Sequence, residues 1–305
     1  MPDLRLSLLH VFTMITLFNP LVVFSMKTSA GFRRTALRAS FSAETTVSNK
    51  KKLLVLGGTG FLGQNVCEQA LQAGYDVVSL SRRGLPPSGG VSNVDYRQGD
   101  ARLKASVANI FGESSNFAGV VHCIGLLFDD QSGLGSLNVY VSGSGSLPDA
   151  ASTYETITRQ TAFNAIEVAT EYANKNALQQ FPFCFTSAAE AGWPDVAGGD
   201  LIENYLAPDF LKRYLVAKRA VEAKLLSSEP TLRPIIVRPS LIYSMDRPLS
   251  FPPVGAFFVG NKVGLPFVDR PVTVQNLSNA MVKAIARDDV KGLLRYQQID
   301  DISSS

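Results

Sequence analysis

The chain has 305 residues, of which 46% are hydrophobic and 18% charged, the balance of a globular α/β body rather than a disordered or fibrous chain. Its net charge of +3 arises at one end: residues 1–50 carry six Lys/Arg and two Asp/Glu, leaving 23 basic and 24 acidic residues in the remainder. A near-neutral body argues against an electrostatic nucleic-acid footprint; three cysteines without CxxC spacing argue against zinc and redox motifs; and a single histidine beyond the leader argues against a Ser-His-Asp triad or a His-rich metal site.

Residues 4–24 are largely apolar, broken by Asn19-Pro20, with Arg5 near the start and Ser25 at the close. This suits a signal-peptide hydrophobic region, and a retained membrane anchor is the alternative. From Met26 the character changes: Lys27, Arg33, Arg34 and Arg38 stand among Ser, Thr and Ala, with no acid until Glu44. That is transit-peptide composition. Residues 1–50 are read as a targeting leader, signal-like over 1–25 and transit-like over 26–50. The combination resembles the bipartite leader of complex plastids; initiation at Met26 would make it a mitochondrial presequence. The expected location is organellar, plastid or mitochondrion, with a mature body that does not span a membrane.

The body begins with an apolar run, 53–56, which ends in Gly57-Gly58-Thr59-Gly60-Phe61-Leu62-Gly63 and passes directly into a helical pattern. Strand, glycine turn and helix together read as a dinucleotide cradle. Gly57 supplies the positive φ of the tight turn. Gly60 lets backbone amides approach a pyrophosphate, and Gly63 lets the helix pack close to the strand. Thr59, Phe61 and Leu62 complete the cradle at the positive end of the helix dipole.

The second strand, 76–80, is followed by Ser81, Arg82 and Arg83. An acid at this place would accept bonds from the ribose 2′-hydroxyl of NAD(H); guanidinium groups suit a 2′-phosphate instead, so NADP(H) is favoured, with NAD(H) the alternative. The third strand, 94–98, leads to Asp100, which either bonds the adenine or caps the helix starting near Arg102. The fourth, 119–125, is a continuous apolar run suited to a central strand buried on both faces. Its end, Ile124 and Gly125, is expected to pass under the cofactor, while His122 reads as a core residue.

Residues 126–150 are Gly- and Ser-rich and read as a flexible excursion with no core of its own. A long helix is predicted over 154–176, a fifth strand over 181–186 leading to Ser187, and a helix from about 208 to 226. That last helix carries Tyr214 and Lys218, four apart and so on one face. A nearby ammonium would favour the phenolate, lowering the tyrosine toward a useful range for proton exchange during hydride transfer. Ser187, at a strand's C-terminal end, would hold the same substrate oxygen. The sixth strand is predicted over 234–240, an apolar loop over 251–266 reads as a lid for a hydrophobic substrate, and a helix runs through Ala286.

The motif GGTGFLG, the order Ser187, Tyr214, Lys218 and the sequence PIIVRPS resemble the extended and atypical short-chain dehydrogenase/reductase superfamily. Within it, the body from Lys52 to about Asp288 resembles the branch of the complex I nucleotide-binding accessory subunit and its relatives in coenzyme Q biosynthesis. The resemblance implies a doubly wound parallel sheet of Rossmann type over 51–240 and a smaller C-terminal substrate region over 241–305. It also implies contact between Asp100 and adenine, and a Ser187/Tyr214/Lys218 catalytic set with no metal. Relatives carry an acid near Gln275 or Asn276 that caps the following helix; this chain does not.

Two functions follow. One is an NADP(H)-dependent oxidoreductase of a hydrophobic, quinone-related substrate; the other is an accessory or assembly protein of a membrane complex that holds the cofactor structurally. An epimerase using bound NAD+ fits the fold but is disfavoured by Arg82 and Arg83.

Overall fold

The computed structural model describes residues 50–86, 89–135, 138, 150–246 and 251–305; residues 1–49, read above as part of a leader, and the Ser/Gly stretch 139–149 lie outside them. Residues Lys50–Ser305 form one compact unit. Seven strands make a sheet in the order β3-β2-β1-β4-β5-β6-β9, every pairing parallel. They are β1 (Lys52–Leu56), β2 (Asp76–Ser81), β3 (Val94–Gln98), β4 (Phe117–His122), β5 (Phe181–Thr186), β6 (Leu232–Val237) and β9 (Gly292–Leu294). A separate pair joins β7 (Ile242–Tyr243) to β8 (Val272–Thr273). Order 3-2-1-4-5-6 is the doubly wound Rossmann arrangement, with its switch point between β1 and β4.

Side chains alternate across the strands and feed two cores. Leu54, Leu56, Val120, Phe183 and Phe185 pack on α2 (Lys104–Gly112), α3 (Thr161–Lys175) and α5 (Asp209–Leu226). Leu53, Val55, Val121 and Cys184 pack on α1 (Phe61–Gln72), α7 (Val274–Ala286) and α8 (Tyr296–Ser304). Both faces are covered, which is why the central strands read as unbroken apolar runs. Among the described residues no helix is long and apolar enough to cross a membrane.

Several local expectations change. Of the stretch read as a flexible excursion, residues 126–135 and Asn138 are described and are anchored: Phe128 and Asp129 are buried, Asn138 bonds the backbone of Phe128 at both ends of its amide, and Arg213 grips Asp129 at 3.0 Å. The predicted 154–176 helix opens as a π-helix, Tyr154–Gln160, capped by Thr153. The apolar stretch 251–266, read as a loop, is helical over α6 (Phe251–Lys262), which tolerates Pro252 and Pro253 because they fall in its first turn, where a missing N–H costs nothing. Residues 189–205 form a 3₁₀ turn, Ala189–Asp195, and the short α4 (Gly199–Tyr205). The missing acid at α7 is replaced by Thr273, whose hydroxyl accepts from the Asn276 amide at 3.1 Å.

The C-terminal residues contribute β9 to the sheet edge and α8 against α7. Arg233 of β6, 1% exposed, donates to the carbonyls of Ala284, Ile285, Arg287 and Val290 at 2.6–3.0 Å. A guanidinium thus closes the C-terminal end of α7, where the helix dipole is negative.

Candidate cofactor and catalytic site

The glycine turn divides its work by position. Gly57 sits at φ +84°, and a Cβ there would press Ile124 Cγ1 at 3.0 Å. A Cβ at Gly63 would come within 2.2 Å of the Gly57 carbonyl oxygen and 2.7 Å of Gly58 Cα, so α1 packs on the strand only without a side chain. Gly60 differs: its backbone is extended (φ −84°, ψ 174°), and a Cβ would meet only the Gly57 carbonyl, at 3.3 Å. The first amide of the helical ladder is that of Gln64, bonding Gly60 O at 3.0 Å, so the first-turn amides ahead of it, at Leu62 and Gly63, project from the helix start. This open cradle at a helix N-terminus fits a pyrophosphate. Gly58 escaped the sequence reading: its Cβ would lie 2.3 Å from Ser79 Oγ and 2.9 Å from Cys67 Sγ, so it seats the turn against β2 and α1.

At the end of β2, Ser81 Oγ donates to the Gly84 carbonyl at 3.0 Å, holding a turn that presents Arg82 and Arg83 to solvent. Asp100 accepts from the Arg102 amide at 3.0 Å and from its guanidinium at 2.8 and 2.6 Å. Burial opposes its charge, but the Arg102 bonds outweigh it and hold the carboxyl below its usual range. Asp100 thus closes a turn ahead of the helix rather than capping it, since that helix starts at Lys104 with Leu103 as its N-cap.

Tyr214, Lys218 and Glu222 stand at four-residue intervals on α5, which points them at the C-terminal ends of β4, β5 and β6. Lys218 is 2% exposed and donates to the Thr186 carbonyl at 2.6 Å. Its ammonium lies 4.9 Å from the Phe185 ring centre and 5.3 Å from that of Tyr214. A Cβ on Gly125 would be 3.9 Å from Lys218 Nζ, so the ammonium reaches the backbone floor after β4. Burial pulls the lysine down to about 8, with the Glu222 carboxylate opposing.

The tyrosine departs from expectation. Its phenol is pushed up, first by burial and then by Glu190 and Tyr154, rather than lowered by the lysine. The reason is geometric: the ammonium sits over the ring face and is bonded to a carbonyl. Tyr214 therefore rests as a neutral phenol, suited to give a proton rather than take one. Tyr154, on the π-helix, packs edge-on to Tyr214 at 5.5 Å while its own hydroxyl donates to Leu127 O at 2.7 Å. Glu190 is half-buried and pushed up to about 7 by burial, with Asp269 adding to the effect.

Ser187 is also placed differently. Its hydroxyl donates to Glu222 Oε1 at 2.5 Å, and Glu222 is gripped by Arg238 through Nε (2.9 Å) and Nη2 (2.6 Å). The structure brings Ser187, Lys218 and Tyr214 to adjoining strand ends, with the serine hydroxyl committed to a buried ion pair. Glu222 was invisible in sequence as a site residue, because a charge every few positions reads as a solvated helix face; Arg238 was visible within PIIVRPS, but its partner was not. His122 is fully buried; its Nε2 meets Thr161 Oγ1 at 3.1 Å, and since that hydroxyl donates to Ile157 O, the histidine carries its proton on Nε2. Burial, aided by Lys218, drives it down to about 3. Cys67, Cys123 and Cys184 are free thiols pushed up by burial, Cys123 to about 12.

Comparison with known proteins bears on the family and the fold. MIOREX complex component 2 of Saccharomyces cerevisiae is 28% identical over 81% of this chain and 98% of its own length. An uncharacterized chloroplastic protein of Arabidopsis thaliana is 25% identical over 87% of this chain and 83% of its own. Among solved structures, Pal from Bacillus thuringiensis superposes with a TM-score of 0.53 (18% identity; 83% of each chain). WbmG from Bordetella bronchiseptica, in complex with NAD and UDP, gives 0.52 (17%; 83% of this chain and 77% of that one). These structures share the fold. The family model described as NAD dependent epimerase/dehydratase matches residues 53–254, spanning the cradle, the Tyr214–Lys218 helix and the exit of β6, and the chain belongs to that family.

Proposed function

We propose that this chain is an organellar NADP(H)-binding oxidoreductase acting on a hydrophobic, quinone-related carbonyl substrate. The observation that carries the reading is that the Lys218 ammonium reaches the backbone at Gly125, after β4, with the Tyr214 ring 5.3 Å from it. Gly60 and the α1 amides would hold the pyrophosphate, and Lys218 the nicotinamide ribose. Arg82 and Arg83, exposed where an NAD-selective acid would stand, support a 2′-phosphate. The bound nicotinamide supplies the hydride. Tyr214, neutral at rest, would donate its hydroxyl proton to the carbonyl oxygen, while Lys218 would hold the ribose that sets the ring beside it. The leader composition and the chloroplastic description of one relative support an organelle.

A second reading, a cofactor-holding component of an organellar assembly, is favoured by the committed Ser187 hydroxyl and by the name of the yeast relative. Tyr214→Phe separates the two. The hydroxyl makes no hydrogen bond to a described residue, so folding and NADPH affinity should persist. Loss of NADPH-dependent quinone reduction supports the enzyme; unchanged function in cells supports the assembly role.

A further inference from the structure

Glu222 is 4% exposed, Arg238 7% and Ser187 3%, and together they join the ends of β5 and β6 to α5. The guanidinium meets the carboxylate with two prongs, at 2.9 and 2.6 Å. It is held further by Asp195 Oδ2 at 3.4 Å. Gly192 leaves room for it, since a Cβ there would lie 2.7 Å from Arg238 Nη1. A carboxylate in such a pair accepts and cannot donate. The 2.5 Å contact with Ser187 therefore takes the one hydrogen that the serine hydroxyl has. What Ser187 Oγ keeps for any other partner is its lone pairs.

We infer that Glu222 fixes Ser187 as a hydrogen-bond acceptor, so that this position takes a hydrophobic ligand bearing a hydroxyl donor and turns away a bare carbonyl or ether oxygen. The inference deepens the proposed function by naming the ligand group that meets Ser187. It also separates two roles that the Ser/Tyr/Lys pattern would merge. Tyr214 gives its proton to the reacting oxygen, and Ser187 receives a hydrogen bond from a different group of the same ligand. Glu222 is a positioning residue, acting through the serine.

The test uses the full chain loaded with NADPH and a matched pair of unreactive probes, 2-naphthol and 2-methoxynaphthalene. The two differ in whether their oxygen can donate. Calorimetry should show the naphthol bound about fivefold more tightly, the effect of one net hydrogen bond. Ser187→Ala should bring the ratio below two. Glu222→Leu removes the acceptor, frees the serine hydroxyl to donate, and should bring the ratio to one or below. Should that variant fail to fold, Ser187→Ala still decides. Equal affinities in the unaltered protein, a preference that survives Ser187→Ala, or no binding of either probe overturns the inference. NADPH binding is followed separately by its fluorescence. Its absence would refute the proposed function, while the probe ratio without cofactor would still score the serine.

Discussion

Two alanine substitutions three residues apart should produce opposite phenotypes. At Gly63 the new Cβ would sit 2.2 Å from a carbonyl oxygen and 2.7 Å from a backbone Cα, neither of which can swing aside. Overpacking of that kind costs about 1–3 kcal/mol, and for a body of this size each kcal/mol lowers Tm by about 2–4 °C, so Gly63→Ala should melt roughly 2–12 °C lower. At Gly60 the Cβ meets one oxygen at 3.3 Å in an already allowed backbone conformation, so Gly60→Ala should melt within about 3 °C of the parent. It would, however, fill the approach to the helix amides. Losing one or two hydrogen bonds to a charged phosphate, at about 1.5–3 kcal/mol each, predicts NADPH affinity weaker by tenfold or more. Thermal scans and NADPH fluorescence titrations of both variants provide the measurement. A Gly60→Ala protein that binds NADPH as well as the parent would refute the phosphate cradle, and with it the placing of all other site residues.

Lys218 offers a pH test: its folded value of about 8 lies below the ordinary lysine value, so the ammonium is lost as pH rises through 8, and NADPH affinity measured between pH 7 and 9.5 should fall over that window. Lys218→Met should abolish the pH dependence. Arg82→Asp should weaken NADPH at least tenfold while sparing NADH, as expected from losing a charge-assisted contact to the 2′-phosphate; equal effects on both cofactors would remove the case for NADP(H). His122 titrates near 3 folded and near 6.5 unfolded, so between those values the unfolded chain binds more protons and stability falls as pH is lowered. Urea unfolding at pH 7 and 4.5 should show a loss reaching about 1.4 kcal/mol per pH unit from this group, and His122→Leu should lack that part of the slope.

How far these features could be read beforehand depended on the range of the interaction. Gly57, Gly60 and Gly63 were legible because their roles are set by backbone geometry within seven residues. The Tyr214–Lys218 pairing was legible because a helix repeats every 3.6 residues, and the parallel sheet because its buried strands are unbroken apolar runs. The direction of the Tyr214 shift was not, since it depends first on burial by the assembled fold and then on Glu190 and Tyr154, distant in sequence and brought in by a 3₁₀ turn and a π-helix. The Ser187–Glu222–Arg238 cluster was hidden for the same reason, its members being 35 and 16 residues apart. The strand β9 is only three residues long, too short for a period-2 pattern, so the sheet's last edge went unread.

The carbonyl cap supplied by Arg233 carries a consequence for the order in which the molecule can be completed. A guanidinium lodged in the interior of β6 finds its acceptors only on residues 284–290, so the strand that contributes it cannot settle into the sheet until those later residues have been synthesised or imported. Trimming from the front, before residue 50, leaves every one of those bonds intact; trimming twenty residues from the back would take away the Arg287 and Val290 carbonyls, two of the four acceptors of a buried positive charge. The two ends of this polypeptide are therefore unequal in what they can lose, and an affinity handle or a protease site belongs at the first of them.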